Sequence, residues 1–267
     1  MNHLRAVIFD WAGTMVDHGS LAPLSVFQRA FAKVGVEISE AEARGPMGMP
    51  KWRHIQAVGR LPRVAAAWEQ AKGSPFTDKD VDDLHALFLP MTLEAVAARS
   101  TLIPGALDTV AAVRARGLKI GSTTGYDRPT MEALLPLAAA QGYAPDCLVT
   151  ASDLPHGRPT PLAMYQCFVT LEVWPAAAVV KVDDTTPGIG EGIAAGTWTV
   201  GVTTTGSLFG LSAEDAAALP SEEFAERRRV AAQQLIDVGA HYVIDSVAEL
   251  PAVLDVIETR LAAGEKP

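Results

Sequence analysis

Cysteine is scarce in this chain. Only Cys147 and Cys167 occur in 267 residues, both among apolar neighbours and neither at a metal-site spacing. A disulfide framework is therefore excluded, and buried free thiols are expected. Long hydrophobic runs are missing too. The apolar stretch ahead of Asp10 is too short for a signal peptide, and no run of about 18 uninterrupted apolar residues occurs, so neither a leader nor a membrane span is expected. These absences suggest a cytoplasmic protein. Basic runs are the third absence. With 22 Lys and Arg against 31 Asp and Glu, the formal charge is −9, and nothing offsets that field. Nucleic acid and anionic membranes are thus disfavoured as partners, and an anionic small molecule would need local cations to hold it. Internal repeats and low-complexity tracts are also lacking.

What is present, 49% hydrophobic and 20% charged residues, fits a globular protein long enough for two modest domains. The organising stretch is Val7-Ile8-Phe9-Asp10-Trp11-Ala12-Gly13-Thr14. Apolar residues ending at a lone Asp before a Gly-containing turn describe a short buried strand that delivers a carboxylate to its carboxyl end, where open α/β sheets place their chemistry. Such a carboxylate can ligate Mg²⁺, act as a base or attack phosphorus. Taken alone, the pattern more often marks a turn cap, so residues elsewhere must decide.

After Thr14 the spacing of Leu24, Phe27, Phe31 and Val34 predicts a helix, with Gly35 at its C-terminal cap. Ser39-Glu40-Ala41-Glu42 is a capping box opening a second helix. Gly45-Pro46-Met47-Gly48-Met49-Pro50 then forms a loop whose backbone can approach a ligand, running into a helix that begins at Lys51-Trp52-Arg53-His54. Helical patterns continue from 62 to 73 and from Thr77 to about Arg99, with Pro90 expected to bend the last. No strand is predicted between about 20 and 99.

From Ser100 helices and strands alternate. Strands are predicted at 118–125, 146–150, 178–183, 197–202 and 241–245, separated by helices, with a polar loop from Thr203 to Gly210. The expected fold is α/β: a doubly wound, mostly parallel sheet formed by 1–19 and 100–267, with a small all-helical cap domain, 20–99, inserted after the first motif.

Several features then coincide at strand carboxyl ends: Asp10, the pair Thr123-Thr124, Gly157-Arg158-Pro159 and Asp183-Asp184. Each alone is ordinary, since hydroxyls form turns, Arg-Pro loops are solvated and acidic pairs cap helices. Together they supply a nucleophilic carboxylate, a hydroxyl, a cation and an acidic pair, the requirements of Mg²⁺-dependent phosphoryl transfer.

In order and spacing these four motifs resemble the haloacid dehalogenase superfamily, and the helical insertion matches that superfamily's first cap position. Two departures narrow the resemblance. Ala12 stands where its phosphatases usually carry a second Asp to protonate the leaving oxygen, and Arg158 stands where Lys is usual. With Pro46-Met47-Gly48-x-x-Lys51-x-x-His54, Gly121-Ser122-Thr123-Thr124-Gly125-Tyr126 and Gly157-Arg158-Pro159, the sequence resembles the phosphonoacetaldehyde hydrolase family from about Ala6 to the last helix. The resemblance implies a Lys51 Schiff base with a small phosphonate aldehyde, an Asp10 aspartyl-phosphate, His54 beside Lys51, and Met47, Gly48, Thr124, Tyr126 and Arg158 around substrate and phosphate. It also implies Mg²⁺ held by Asp10, the Ala12 carbonyl and Asp184, and a homodimer. Some relatives carry an acidic residue where this chain has Gly188, and Asp183 is expected to substitute.

The chemistry is consistent with the residues. A carbanion leaving group needs an electron sink, which a protonated imine on Lys51 provides, and Ala12 then has no oxygen to protonate. Lys51 must be neutral to attack, although an ordinary lysine has a pKa near ~10.4, so burial beneath the cap is expected to depress it. His54, at i+3 on the same helical face, is placed to accept a proton. A capped phosphatase or phosphomutase is the alternative enzyme, and a receiver-like module phosphorylated on Asp10 the non-catalytic one. The first would want an acid at Ala12, and the second has no use for an insertion carrying Lys51.

Overall fold

The computed structural model describes residues 3–47 and 49–267. Six strands, β1 Ala6–Phe9, β2 Lys119–Thr123, β3 Cys147–Val149, β4 Val179–Asp183, β5 Trp198–Val202 and β6 Tyr242–Ile244, form one sheet in the order β3-β2-β1-β4-β5-β6. Every pairing is parallel. Parallel strands are covered on both faces and so read as nearly continuous apolar runs, as β1 does with all four residues buried. β1 lies between β2 and β4, with Phe9 opposite both Ser122 and Val182. The chain winds outward from β1 in both directions, which opens a crevice at its carboxyl end. Asp10 is the first residue past that end.

Between β1 and β2 come α1 Leu21–Lys33, α2 Glu40–Arg44, α3 Lys51–Gly59, α4 Pro62–Lys72, α5 Asp78–Ala98 and α6 Ala106–Ala115. The sheet is flanked further by α7 Arg128–Ala140, α8 Leu162–Leu171, α9 Thr186–Ala194, α10 Ala213–Ala218, α11 Ser221–Asp237 and α12 Leu250–Ala262. Among the described residues no strand lies between α1 and α5. The capping boxes at Ser39 and Thr77 both form, each hydroxyl accepting the N3 backbone N–H while the N3 carboxylate reaches back. Pro90 sits inside α5, which continues on both sides of it.

The helical segment leaves and rejoins the sheet at one place. Val16 and Leu102 form an antiparallel bridge, Asp17 N–H donates to the Thr101 carbonyl at 3.2 Å, and Ile103 N–H donates to the Met15 carbonyl at 2.9 Å. One hydrophobic cluster runs without a break from Val7 and Phe9 through Trp11 to Phe27, Phe88 and Trp68, so sheet and helical segment share a core. A smaller cluster on the other sheet face holds Cys147 and Cys167, both free and buried, as the sequence indicates. Among the described residues, no helix is long and apolar enough to cross a membrane.

Candidate active site

Four strand ends converge on Asp10. Its N–H donates to the Val182 carbonyl at 3.0 Å, which anchors it in the β1–β4 seam, and its carboxylate is almost fully buried. Arg158 arrives from the loop after β3. One of its terminal nitrogens donates to Asp10 Oδ1 at 2.8 Å, to the Thr123 carbonyl at 2.8 Å and to the Thr123 hydroxyl at 3.1 Å. It also pairs with Asp183 and Glu191, each at 3.3 Å. Burial alone would lower the Arg158 pKa, but these carboxylates reverse that and fix the guanidinium as a cation.

Burial, then the neighbouring Asp183, push Asp10 up to about 6, while Arg158 and Lys181 oppose the rise. Asp183 and Asp184 respond in opposite directions. Burial would raise Asp183, but Arg158 and Lys181 hold it below the usual carboxylate range. Asp184 is driven well above that range by burial and by the like charges of Asp10 and Asp183, with only Ser207 in opposition. Its Oδ2 accepts the Ser207 N–H at 2.7 Å, whereas its Oδ1 is buried with no hydrogen-bond partner. Asp10, Asp183 and Asp184 each offer a carboxylate oxygen within 4.8 Å of the others, so the cluster could bind a metal ion.

A cavity opens over Asp10, with an empty space of about 350 Å³ including its mouth, suited to a small ligand. Asp10, Ala12, Met47, Lys51, Thr124, Tyr126 and Arg158 all line it, together with Ser20 and Met49. Residues as distant in sequence as Asp10 and Arg158 thus line one cavity. Lys51 opens α3 and projects between two aromatic faces, 5.3 Å from the ring centres of both Phe27 and Tyr126. Burial lowers its pKa to about 8 against the pull of Asp127 and Asp10. Thr124 accepts the Tyr126 N–H through its hydroxyl at 3.1 Å, fixing the turn beneath the ring.

His54 stands behind the cavity rather than in its wall. Its Nε2 donates to the Ala43 carbonyl at 2.7 Å, since a carbonyl can only accept, and its ring stacks on Phe27 with centroids 3.7 Å apart. Nδ1 is buried and unpartnered. Burial and the neighbouring Lys51 lower its pKa to about 3, leaving the imidazole neutral with a free lone pair on Nδ1. Gly48 lies outside the described residues. Trp11 is a core residue, fully buried beside Tyr143.

Sequence reasoning missed a second tier of charge. Lys181 is fully buried on β4, donating to the Thr123 hydroxyl at 2.7 Å and pairing with Asp183 at 3.0 Å and Glu191 at 3.4 Å. Glu191, on α9, accepts the Thr123 hydroxyl proton at 2.7 Å. The signal was a lysine inside Val-Val-Lys-Val-Asp, two places before Asp183 and hence on the same strand face. Gly188 also acquires a reason. A Cβ there would lie 2.0 Å from the Asp183 carboxyl carbon, so any side chain at 188 excludes Asp183 from its place.

Comparison with known proteins agrees with this geometry. Residues 4–196 match the family of haloacid dehalogenase-like hydrolases. The chain is 50% identical over 267 residues to a phosphonoacetaldehyde hydrolase of Paraburkholderia xenovorans (strain LB400), covering 100% of both chains. It is 49% identical over 269 residues to that of Klebsiella pneumoniae subsp. pneumoniae, again with full coverage of both. The crystal structure of a phosphonoacetaldehyde hydrolase-like protein from Oleispira antarctica superposes with a TM-score of 0.97 at 45% identity, covering 99% of this chain and 96% of that one. A β-phosphoglucomutase from Clostridium difficile shares the fold alone, with a TM-score of 0.69 at 15% identity.

Proposed function

The chain belongs to the phosphonoacetaldehyde hydrolases of the haloacid dehalogenase-like hydrolase family, and we propose that it cleaves the phosphorus–carbon bond of phosphonoacetaldehyde to give acetaldehyde and phosphate. The observation that carries this reading at the site is Lys51, a buried amine with its pKa near 8 in the same cavity as Asp10 and Arg158.

In this reading the neutral Lys51 amine attacks the aldehyde carbon and water leaves, giving a protonated imine. Asp10 then attacks phosphorus through a carboxylate oxygen while the phosphorus–carbon bond breaks, its electron pair passing into the imine as an enamine. Protonation of the enamine carbon and hydrolysis of the resulting imine release acetaldehyde and restore Lys51. Water cleaves the aspartyl-phosphate to phosphate and free Asp10. Arg158, already 2.8 Å from Asp10, is placed to hold phosphonate oxygens, with Thr124 beside it. Met47 and Tyr126 supply the walls that keep water from the amine, and Gly48 keeps the substrate-binding role that the motif resemblance gives it. His54 lies on the same face of α3 as Lys51, where its neutral Nδ1 lone pair could accept a hydrogen bond; with its pKa near 3 it does not keep the proton that the amine gives up, which passes to water. The segment 20–99 acts as the cap, bringing Lys51 to the nucleophile held by the sheet.

The acidic cluster fits a hard dication. Asp10, Asp183, Asp184 and Glu191 bring four buried carboxyl groups together with only two basic side chains, Arg158 and Lys181, and the orphaned Asp184 Oδ1 is a ready oxygen ligand. Mg²⁺ would be held by Asp10, the Ala12 carbonyl and Asp184, with Asp183 beside them as a further acidic group. When bound, Mg²⁺ would offset the repulsion between the Asp10 carboxylate and the phosphonate. The acidic charge balance and the scarcity of cysteine favour a cytoplasmic enzyme, and the family resemblance a homodimer, which sedimentation would test.

The test is covalent. Borohydride added with phosphonoacetaldehyde should leave a reduced adduct that peptide mass mapping places on Lys51. Lys51→Arg, which keeps the charge but not the amine, should lose turnover by several orders of magnitude. An adduct on another lysine, or an active Lys51→Arg enzyme, removes the mechanism.

A further inference from the structure

Arg44 is the last residue of α2, is not in the cavity wall, and makes more directed hydrogen bonds than a surface arginine requires. Its Nη1 donates to the Gly19 carbonyl at 3.1 Å and to the Ser207 carbonyl at 3.0 Å. Its Nη2 donates to the Gly210 carbonyl at 2.7 Å and its Nε to Glu40 at 2.7 Å. Only 13% of the side chain is exposed. The three carbonyls belong to the strap that leads into α1 and to the loop that follows β5. Gly210 makes room for the fork: a Cβ there would sit 2.7 Å from Arg44 Cζ.

Both ends of this clasp reach the chemistry. On one side the Ser207 N–H holds Asp184 Oδ2 at 2.7 Å, so Arg44 grips the residue that orients a carboxylate of the acidic cluster. On the other side Ala43, next in chain to Arg44, accepts the His54 Nε2 proton at 2.7 Å, and Met47 N–H donates to the Arg44 carbonyl at 2.9 Å. Moving α2 therefore moves the helix that carries Lys51 and the Met47 wall together.

We infer that Arg44 is a positioning residue that clasps α2 to the loop after β5, holding the Lys51-bearing helix in register with Asp10 and closed to solvent. The inference rests on the proposed function only for the consequence in turnover. A planar fork that meets three fixed carbonyls and one carboxylate is not replaced by an ammonium. Displacements of about 1 Å at a reacting centre cost on the order of 10²-fold in rate.

The experiment compares wild type, Arg44→Ala and Arg44→Lys in the full-length enzyme with Mg²⁺. Two readings are taken at fixed pH: kcat and KM with phosphonoacetaldehyde, and the rate at which trinitrobenzenesulfonate labels Lys51, followed by peptide mass mapping without substrate. Arg44→Ala should lose about 10²-fold in kcat/KM and label Lys51 at least several-fold faster. Methylguanidinium at millimolar, non-denaturing concentration should return both values toward wild type, whereas methylammonium should not. Arg44→Lys should resemble the alanine variant more than the wild type. Wild-type kcat/KM with unchanged labelling in Arg44→Ala overturns the inference, as does lost activity that methylguanidinium fails to restore. If Arg44→Ala does not fold, Arg44→Lys carries the same two readings. A wild type without phosphonatase activity would sink the proposed function, yet the labelling comparison would still decide the clasp.

Discussion

A single amine illustrates how little structure is needed to change a residue's chemistry. Lys51 is surrounded by aromatic faces and enclosed, and burial outweighs the attraction of Asp127 and Asp10, bringing it down to about 8. At pH 7 such a group is roughly one-tenth neutral, against less than about a thousandth for an ordinary lysine. Imine formation should therefore rise roughly tenfold as pH climbs from 7 through 8 and then level off. Initial rates of borohydride-trapped adduct at saturating substrate measure it, and a limb centred near 10 would show the amine to be unperturbed. His54, lowered to about 3, should add no inflection of its own between pH 5 and 9. Lys51 and its neighbours were legible because a lysine after a Gly/Pro loop is a local pattern. The partner of His54 was not, because helical spacing gave its face but could not reveal the Ala43 carbonyl beneath it.

Elements were readable to the extent that their signals are local. The hydroxyl-to-carboxylate spacing at Ser39 and Thr77 marked helix starts, and unbroken apolar runs marked strands buried on both faces. Strand ends were less legible: the 146–150 strand keeps only Cys147–Val149, and at Asp146 the Ile120 N–H is met by the side-chain carboxylate at 2.8 Å while the Asp146 N–H still donates to the Ile120 carbonyl at 2.7 Å. The pairing of β4 with α9 had no signature, because Lys181 and Glu191 meet across ten residues only once the helix folds back over the strand. Their seam makes a sharp prediction. Gly188→Ala places a Cβ 2.0 Å from the Asp183 carboxyl carbon and must displace it from Lys181 and Arg158. Breaking a buried pair in this way costs about 3–5 kcal/mol, so urea unfolding should move to markedly lower concentration. An unchanged midpoint would mean that Asp183 has room the structure does not grant it.

Across the molecule the sheet gathers more buried acid than base at one end, an arrangement that stands at a cost until a dication arrives. Mg²⁺ held by this cluster at about 100 times its dissociation constant should stabilise the folded chain by roughly 2.7 kcal/mol. For a chain of this size that corresponds to a rise of roughly 5–10 °C in melting temperature. Scanning calorimetry with and without Mg²⁺ should show it and Asp184→Asn should lose most of it; in activity assays after chelation, Mg²⁺ should restore turnover and Ca²⁺ should restore it poorly. No shift with saturating Mg²⁺ would take the ion out of the acidic cluster. The bridge between Val16 and Leu102 has a different kind of consequence. A segment that enters and leaves through two hydrogen-bonded neighbours can be inherited as a cassette, since a hairpin turn of about two to five residues would close the sheet behind it. The length and helix count of that segment can then change without unpairing β1 from β2, provided that whatever replaces it refills the core shared by Phe9, Trp11 and Phe27.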